Sequence, residues 1–301
     1  MVAVTADNSP GPAPATMEVG ELRITPFVSS RFRLDGGSMF GVVPRVLWEK
    51  KAPADPYNRI LLHANSLLVE DGAMRVLVEP GMGTKYDPKQ REIYDLDEGD
   101  AVTGLRVLGL EPEDIDIVVT THLHIDHVGG CTALDDSGEA VPAFPNARVI
   151  IQRNEWEAAR APHALSVGSY NPADFMPLRE CGLLDIVDGD REVTPGLRVE
   201  FTGGHTLGHQ VLWIRSGDSE ALFIGDIVPT TAHLKLNWLM AWDIEPCVVY
   251  EEKARLLADC ARRGILLLTA HDPEILACRV REVQPGSYAV DEESAVRATA
   301  S

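Results

Sequence analysis

A short segment near the middle of the chain concentrates side chains that can bind a metal ion. The stretch "VVTTHLHIDHVGG", residues 118–130, holds three histidines and one aspartate within six consecutive positions. The whole chain has only nine histidines in 301 residues, and such a run does not need histidine in order to fold. Neutral imidazole and carboxylate are ligands that zinc and similar divalent cations prefer. The composition of this run therefore predicts a metal site.

The spacing of the run indicates how these side chains would be divided between metal ions. His122 and His124 follow an apolar segment, and residues i and i+2 of an extended backbone point to the same side. Both imidazoles can therefore reach one ion. Asp126 and His127 come next, where the chain turns toward two glycines, and they can face a neighbouring ion. The spacing fits two adjacent cations.

Three further candidate ligands occur later, each directly after an apolar segment. His205 follows "LRVEFT", Asp226 follows "ALFIG" and His271 follows "ILLLTA". If these segments are strands of one domain, their carboxyl ends converge on one edge. Asp226 has two carboxylate oxygens and could bridge two metals about 3.5–4 Å apart. Within "GGHTLGH" either histidine could be the ligand; we favour His205 and expect His209 to support the site.

The elements that must position these residues are mainly strands. Period-2 and apolar runs predict the strands "ELRITPFVSS", "RILLHANSLLVE", "MRVLVEP", "DIDIVVTTH", "NARVIIQ", "LRVEFTGG", "QVLWIRS", "ALFIGD" and "ILLLTAH". Asp71-Gly72 predicts a hairpin between the second and third of them. Helical periodicity appears in "GDAVTGLRVLGL", "NEWEAARA" and "YEEKARLLADCARRG". This mixture predicts an α/β (α+β) fold with helices packed outside sheets.

The domain organisation is predicted to be simple. Residues 1–18 are rich in proline, alanine, glycine and serine, which favours a disordered N-terminal lead. Residues 291–301 resemble a flexible C-terminal tail. Residues 19–290 contain neither a linker nor an internal repeat, so we expect a single domain there.

Composition and charge restrict the classes of partner. The formal net charge of −19 disfavours nucleic acid and anionic membranes, which leaves a small-molecule substrate of low charge. The five cysteines are scattered and odd in number, a pattern typical of reduced thiols in a cytoplasm. No apolar stretch approaches the roughly 18 residues of a membrane span. We expect a soluble cytoplasmic protein and retain a homodimer as a candidate assembly.

The order of the motifs "HLHIDH", "GGHTLGH", "IGD" and "TAH" resembles the metallo-β-lactamase superfamily, over residues 20 to 280. The resemblance implies an αββα sandwich: two mixed β-sheets face to face, with helices outside and metals at one edge. It also implies the distribution of ligands. The first metal would be bound by His122, His124 and His205, the second by Asp126, His127 and His271, with Asp226 bridging them.

Longer stretches, such as "DGGSMFGVVPRVLWEK" and "TPGLRVEFTGGHTLGHQVL", resemble the YtnP-type quorum-quenching lactonase branch. That resemblance implies ring opening of N-acyl homoserine lactones. Related chains include phosphotriesterases, so a phosphotriesterase or arylesterase on the same dinuclear site is the alternative. A mononuclear iron persulfide dioxygenase uses similar first-site ligands and is a further alternative, although the complete second ligand set argues against it. A non-catalytic module with the same fold is the last.

The implied chemistry is hydrolysis assisted by two divalent metal ions. We expect zinc, while manganese, cobalt and iron accept the same ligands. A metal-bridging hydroxide would attack the lactone or ester carbonyl, and no serine or cysteine nucleophile is required. Asp126 would act catalytically by passing a proton to the leaving alkoxide.

Aromatic and sulfur-containing residues near the early glycine-rich loop and after Asp226 are candidates for the substrate pocket. We predict an apolar channel for an acyl chain, lined by Phe40, Trp48, Trp238 and Met240, with Met39 and Trp242 as further candidates. The alternative is that these side chains pack only as loop anchors. His233 in "TTAHLKL" either contacts the substrate or caps a loop.

Overall fold

The structure, a computed structural model, describes residues 15–298. Its strands are β1 (Met17–Val19), β2 (Leu22–Asp35), β3 (Arg59–Glu70), β4 (Arg75–Val78), β5 (Ile117–Val119), β6 (Thr132–Leu134), β7 (Ala140–Pro142), β8 (Arg148–Gln152), β9 (Leu184–Val187), β10 (Arg191–Thr194), β11 (Leu197–Phe201), β12 (Gln210–Ser216), β13 (Ser219–Phe223), β14 (Leu266–Leu268), β15 (Ile275–Gln284) and β16 (Ser287–Arg297). Its α-helices are α1 (Gly36–Phe40), α2 (Arg45–Trp48), α3 (Pro88–Tyr94), α4 (Ala101–Val107), α5 (Ile125–Val128), α6 (Arg153–Arg160), α7 (Met176–Glu180) and α8 (Pro246–Arg263).

Two seven-stranded sheets form the centre of the molecule. The first has the strand order β1-β2-β3-β4-β5-β8-β9, and the second runs from β10 to β16 in sequence order. Both are mixed, because β4, β5, β8 and β9 pair in parallel in the first sheet and β13 pairs in parallel with β14 in the second. The hairpin predicted at Asp71-Gly72 is confirmed as the antiparallel pair β3–β4.

The sheets pack face to face and the helices lie outside them. One core cluster combines aliphatic side chains of both sheets, for example Ile24 and Val119 of the first with Val199 and Leu212 of the second. The outer face of the first sheet is covered by α4, α6 and α7, and that of the second by α8. This four-layer arrangement confirms the predicted fold class.

Helix α8 shows why the outer layer is stable. Its apolar stripe includes Val249, Leu256 and Leu257, each nearly inaccessible to solvent, and burial of each such side chain contributes about 1.5–3 kcal/mol. The helix begins with Pro246 in its first turn and ends at Arg263, and the following Gly264 adopts the left-handed conformation at φ 68°. Among the described residues, no helix combines the length and apolar character needed to cross a bilayer.

Hydrogen bonds between the two sheets fix the edge at which the candidate ligands lie. The backbone N–H of Gln210, at the start of β12, donates to the carbonyl of Thr121 just after β5. The Asn65 N–H of β3 donates to the carbonyl of Ala270, and its side chain donates to that of Thr269. These bonds join the segments that follow β5 and β14 to strands of the opposite sheet, and they hold distant chain segments at one common edge.

The structure corrects parts of the predicted boundaries. Residues 291–297, predicted as a flexible tail, belong to β16, which pairs antiparallel with β15. Their polar composition conceals this role, because an edge strand is held by backbone hydrogen bonds and can be polar on its exposed face. Residues 17 and 18 of the predicted lead form part of β1. Residues 1–14 and 299–301 lie outside the described residues, and the extent of the single domain stays a prediction.

The segment from Gly36 to Trp48 also differs from its predicted loop. It folds into the two short helices α1 and α2, and Asp35 caps α1 by accepting the N–H of Ser38. Phe40 and Trp48 are buried, whereas Val42 is 93% exposed. A side chain's burial here depends on what packs over the segment, which its own sequence does not specify.

Candidate metal site

The structure brings all seven predicted ligands together at the common edge of the two sheets. Six of them are buried, and only Asp126 keeps partial exposure. Their ligand atoms form three overlapping groups, each within 4.8 Å: His122, His124 and His205; His122, His127 and Asp226; and Asp126, His127 and His271. Residues separated by up to 149 positions thus meet in one cluster.

The local backbone explains how the densest ligand segment is presented. His122 follows β5 directly, and His124 lies at the N-cap of the one-turn helix α5. That turn carries Asp126 and His127, so the chain changes from extended to helical within the motif. The first two candidate ligands therefore lie before the helical turn and the last two lie within it.

Three of the histidines are oriented by hydrogen bonds at Nδ1. The pairs are His127 with Glu79 Oε2 at 2.6 Å, His205 with Asp243 Oδ1 at 2.9 Å, and His271 with the carbonyl of His63 at 2.9 Å. A carboxylate or carbonyl oxygen only accepts, so each Nδ1 carries the proton and donates. When these imidazoles are neutral, Nε2 is unprotonated and can bind a cation, as in metal-binding histidines.

These Nε2 atoms converge on Asp226. Its Oδ1 lies 3.3 Å from His271 Nε2, and its Oδ2 lies 3.3 Å from His205 Nε2 and 3.6 Å from His127 Nε2. The Nε2 atoms of His127 and His271 are 3.0 Å apart. Lone pairs brought this close repel one another unless cations or protons lie between them. The two oxygens of Asp226 also face different histidines, as a bridging ligand requires.

Two further buried nitrogens support the same conclusion. His122 Nε2 is buried and has no hydrogen-bond partner among the described residues, and His124 Nδ1 lies 3.2 Å from His205 Nε2. An unpaired buried polar atom is costly and calls for an explanation. The donor set of imidazole and carboxylate is that of a divalent transition-metal site, so the residues present fit the group that the sequence implied.

The electrostatics of the cluster follow from burial and from its carboxylates. Burial lowers the pKa of His122 and His124, and the neighbouring imidazoles lower it further. Burial acts in the same direction on His127, but Glu79 and Asp226 outweigh it and hold the pKa well above its ordinary value. Burial raises the pKa of Asp226, yet the surrounding histidines hold it well below its usual range. The site favours an ionised Asp226 beside positive charge.

His209 has a supporting role, as expected. Its Nε2 accepts the backbone N–H of Asp226 at 3.1 Å, and its Nδ1 shares a hydrogen bond with the Thr202 hydroxyl at 2.7 Å. Gly225 makes this contact possible, because a Cβ there would lie 2.7 Å from both His209 Nε2 and Thr121 Cγ2. Of the two histidines in "GGHTLGH", His205 therefore lies in the ligand cluster and His209 positions the backbone of Asp226.

A cavity of about 310 Å³ opens beside the cluster. Its wall is mainly apolar and aromatic, including Phe32, Met39, Tyr94, Met240 and Trp242. The candidate ligands His124, Asp126, His205, Asp226 and His271 form its polar side. Met240 was predicted to line such a channel, with Met39 and Trp242 as further candidates, and all three lie in the wall.

Four other predicted pocket residues are not part of that wall. Phe40 stacks on His233 with ring centroids 4.5 Å apart and on Trp48 at 5.3 Å, and it meets the edge of Trp238 at 5.6 Å. His233 donates from Nε2 to the carbonyl of Met39. The prediction that these four line the pocket is wrong for this cavity, because they are buried behind it. They anchor the segment that carries Met39, which is the alternative considered from sequence.

Sequence reasoning assigned no supporting role to two acidic residues that hydrogen-bond the candidate ligands. Glu79 follows β4 and Asp243 lies in a loop after Asp226, and both are almost fully buried. The position of Glu79 at a strand end was an available signal, since the other site residues share it. Asp243 offered none, because only the tertiary structure brings it to His205. Tyr94 and Phe32 of the cavity wall were also missed.

Comparison with known proteins agrees with this geometry. The family model described as Metallo-beta-lactamase superfamily matches residues 59–272. The N-acyl homoserine lactonase AttM of Rhizobium radiobacter is 30% identical over 230 residues, which cover 72% of this chain and 82% of that protein.

Two solved structures extend the comparison to three dimensions. A probable metal-dependent hydrolase from Staphylococcus aureus superposes with a TM-score of 0.83 at 31% identity, covering 92% of this chain and 99% of that one. AidC, a dizinc quorum-quenching lactonase, has a TM-score of 0.74 at 19% identity, covering 92% and 96%, which shows a shared fold. With the motif order, the sandwich and the ligand cluster all in agreement, the chain belongs to the metallo-β-lactamase superfamily.

Proposed function

We propose that this protein is a metal-dependent hydrolase that opens the ring of N-acyl homoserine lactones at a site for two divalent cations. The observation that carries the proposal is the convergence of seven candidate ligand side chains in one cluster, five of which line an apolar cavity. Relatives named N-acyl homoserine lactonase, at about 30% identity, support the choice of substrate.

The seven candidate ligands would be divided between the two cations. His122, His124 and His205 would hold one cation and Asp126, His127 and His271 the other, with Asp226 shared between them. When bound, such cations lower the pKa of a coordinated water and polarise the substrate's carbonyl oxygen. The Nδ1 hydrogen bonds fix the tautomer of three ligands in advance, so little reorganisation is needed on binding.

Asp126 is suited to the proton transfer that ring opening requires. It is the ligand candidate that keeps exposure, with 16% of its side chain accessible, and it lines the cavity. Its two oxygens lie 3.7 Å from His127 Nε2 and 3.6 Å from His271 Nε2. A carboxylate placed between ligands and substrate can receive a proton from the attacking water and pass it to the leaving alkoxide.

The cavity wall is suited to contact the part of the substrate that lies outside the lactone ring. The aliphatic and sulfur-containing side chains Leu34, Leu62, Met39 and Met240 offer an apolar surface for an acyl chain. The aromatic part of the wall is also compatible with the alternative function, a phosphotriesterase or arylesterase, since Phe32 and Trp242 can contact a flat leaving group. We rank the lactone first because of the named relatives.

A hydrolysis panel on metal-quantified protein tests the proposal. It compares homoserine lactones of short and long acyl chains with an aryl ester and an organophosphate triester. We expect two cations per chain and fastest turnover of a lactone. Triester hydrolysis without lactone turnover would favour the alternative, and one iron per chain with oxygen consumption would favour a persulfide dioxygenase.

Three further expectations stay predictions of this proposal. Zinc is the expected cation, because imidazole and carboxylate suit it. A cytoplasmic location agrees with five cysteines that are all free. A homodimer is the assembly to be tested by measuring the molecular mass in solution.

A further inference from the structure

One buried carboxylate outside the set of candidate ligands accepts hydrogen bonds from both chain segments that carry His122, His124 and His205. Glu155, in the first turn of α6, is fully buried. Its Oε1 accepts the backbone N–H of Leu123, the residue between His122 and His124, at 2.9 Å. Its Oε2 accepts the hydroxyl of Thr206, the residue after His205, at 2.6 Å. A single side chain therefore spans the two segments.

A third donor connects the same carboxylate with the cavity. The Tyr170 hydroxyl donates to Glu155 Oε1 at 3.1 Å, and the Tyr170 ring lies 4.9 Å from the ring of His124. Tyr170 directly follows a segment whose residues Gly168 and Ser169 line the cavity. The hydrogen bonds of Glu155 thus extend from the histidines to the cavity wall.

The loop that carries His205 also packs tightly against the backbone of α6. A Cβ on Gly208 would lie 2.1 Å from the backbone nitrogen of Glu155, which leaves no room for a larger residue. The loop therefore approaches the helix closely at Gly208, and the Glu155 carboxylate lies beside this contact. Because the carboxylate is buried with three donors, removing it leaves buried N–H and O–H groups without a partner, which is costly.

We propose that Glu155 is the positioning residue of the His122, His124 and His205 group, and that Tyr170 links this carboxylate to the cavity wall. Glu155 does not line the cavity, and its hydrogen-bond partners are Leu123, Tyr170 and Thr206 rather than the imidazoles. It acts by fixing the separation of the two loops that present the imidazoles. This inference rests on the proposed function only in requiring that a cation binds to these three histidines.

The variant Glu155→Gln tests the role with little change in shape. Its amide oxygen can still accept from Leu123, but the amide NH₂ then faces the Thr206 hydroxyl, and the negative charge is lost. Glu200→Gln is the matched control, since Glu200 accepts the Trp213 indole N–H at 3.0 Å on the side facing α8. Cobalt or zinc affinity is titrated for both variants, and the visible spectrum of the cobalt form is recorded.

We expect Glu155→Gln to weaken binding of one of the two ions by about 10- to 100-fold and to change its cobalt spectrum. Glu200→Gln should match the wild type in both. If Glu155→Gln binds both ions with wild-type affinity and spectrum, the proposal is overturned. Should it fail to fold, as judged by circular dichroism, Thr206→Val and Tyr170→Phe each remove one donor and keep the carboxylate. If these variants lose less affinity than is expected for Glu155→Gln, and lose it for one ion only, the proposal is supported. If both variants bind both ions with wild-type affinity, it is overturned.

The metal readout separates this inference from the proposed function. If the wild-type protein hydrolyses none of the panel substrates but Glu155→Gln still loses affinity for one ion, the lactonase proposal fails and the positioning role stands. If lactones are hydrolysed and the variant binds metal normally, only the positioning role fails.

Discussion

The hydrogen bond between Glu79 and His127 allows a sharp prediction about ligand tautomers. Glu79 is buried, with Oε2 at 2.6 Å from His127 Nδ1 and Oε1 accepting the backbone N–H of Thr121. The isosteric variant Glu79→Gln can keep the bond to Thr121 with its amide oxygen. Its NH₂ group then faces Nδ1, where two donors would meet. His127 can avoid this only by moving its proton to Nε2, the atom that faces Asp226.

The size of the effect follows from this geometry. A protonated Nε2 cannot bind a cation, so each binding event must first reverse the tautomer. A hydrogen bond to a charged group contributes about 1.5–3 kcal/mol, and loss of such a supporting carboxylate typically lowers metal affinity by about 10- to 100-fold. We expect Glu79→Gln to lose cation affinity within this range, and kcat/KM for the lactone to fall with it at limiting metal.

Competition with a chromophoric chelator measures the affinity, and Asp174→Asn is the matched control. Asp174 is also a buried carboxylate, but it pairs with Lys85 at 3.0 Å instead of with a histidine. We expect this control to lose stability while keeping its metal affinity. The reasoning is refuted if Glu79→Gln binds both cations as tightly as the wild type, or if the control weakens binding equally.

Three more predictions follow from the site and its surroundings. His124→Ala and Asp226→Ala should each abolish lactone turnover in a folded protein, and a variant with a normal rate would exclude that residue as a ligand. Tyr94→Phe should lower kcat/KM about tenfold if the cavity-wall hydroxyl bonds the substrate, the equivalent of one hydrogen bond; unchanged kinetics would exclude this contact. Burial lowers the pKa of Lys253 from 10.5 to about 7. Between these two pKa values the unfolded chain therefore binds more protons than the folded chain. The free energy of unfolding of the wild type should accordingly rise from about pH 7 to pH 10, relative to that of Lys253→Met. Equal pH profiles in denaturant titrations would contradict this.

Much of the candidate site could be predicted because its information is local. The i, i+2 spacing of His122 and His124 acts within one short segment, and so does the turn that carries Asp126 and His127. The strands before His205, Asp226 and His271 are apolar runs that are recognisable without a partner. Since strands of one sandwich end at a shared edge, the list of ligands followed from strand ends and residue types.

The cavity wall shows where local information fails. Phe40 and Met39 are neighbours in one short helix, yet Met39 reaches the cavity and Phe40 packs behind it against His233. The polar strand β16 was missed for a related reason, because its stability comes from pairing with β15 rather than from its own apolar pattern. In each case the deciding contact is made with a distant segment.

The sequence by itself determined the candidate ligands, the order of the strands that precede them and the family. Only the tertiary structure decided that His205 rather than His209 lies in the cluster. It also revealed Glu79 and Asp243 as the carboxylates that orient the ligands. The physical reason is that a ligand's identity depends on side-chain chemistry, which the sequence states directly. Its orientation depends on hydrogen bonds between residues that meet only when the two sheets close on each other.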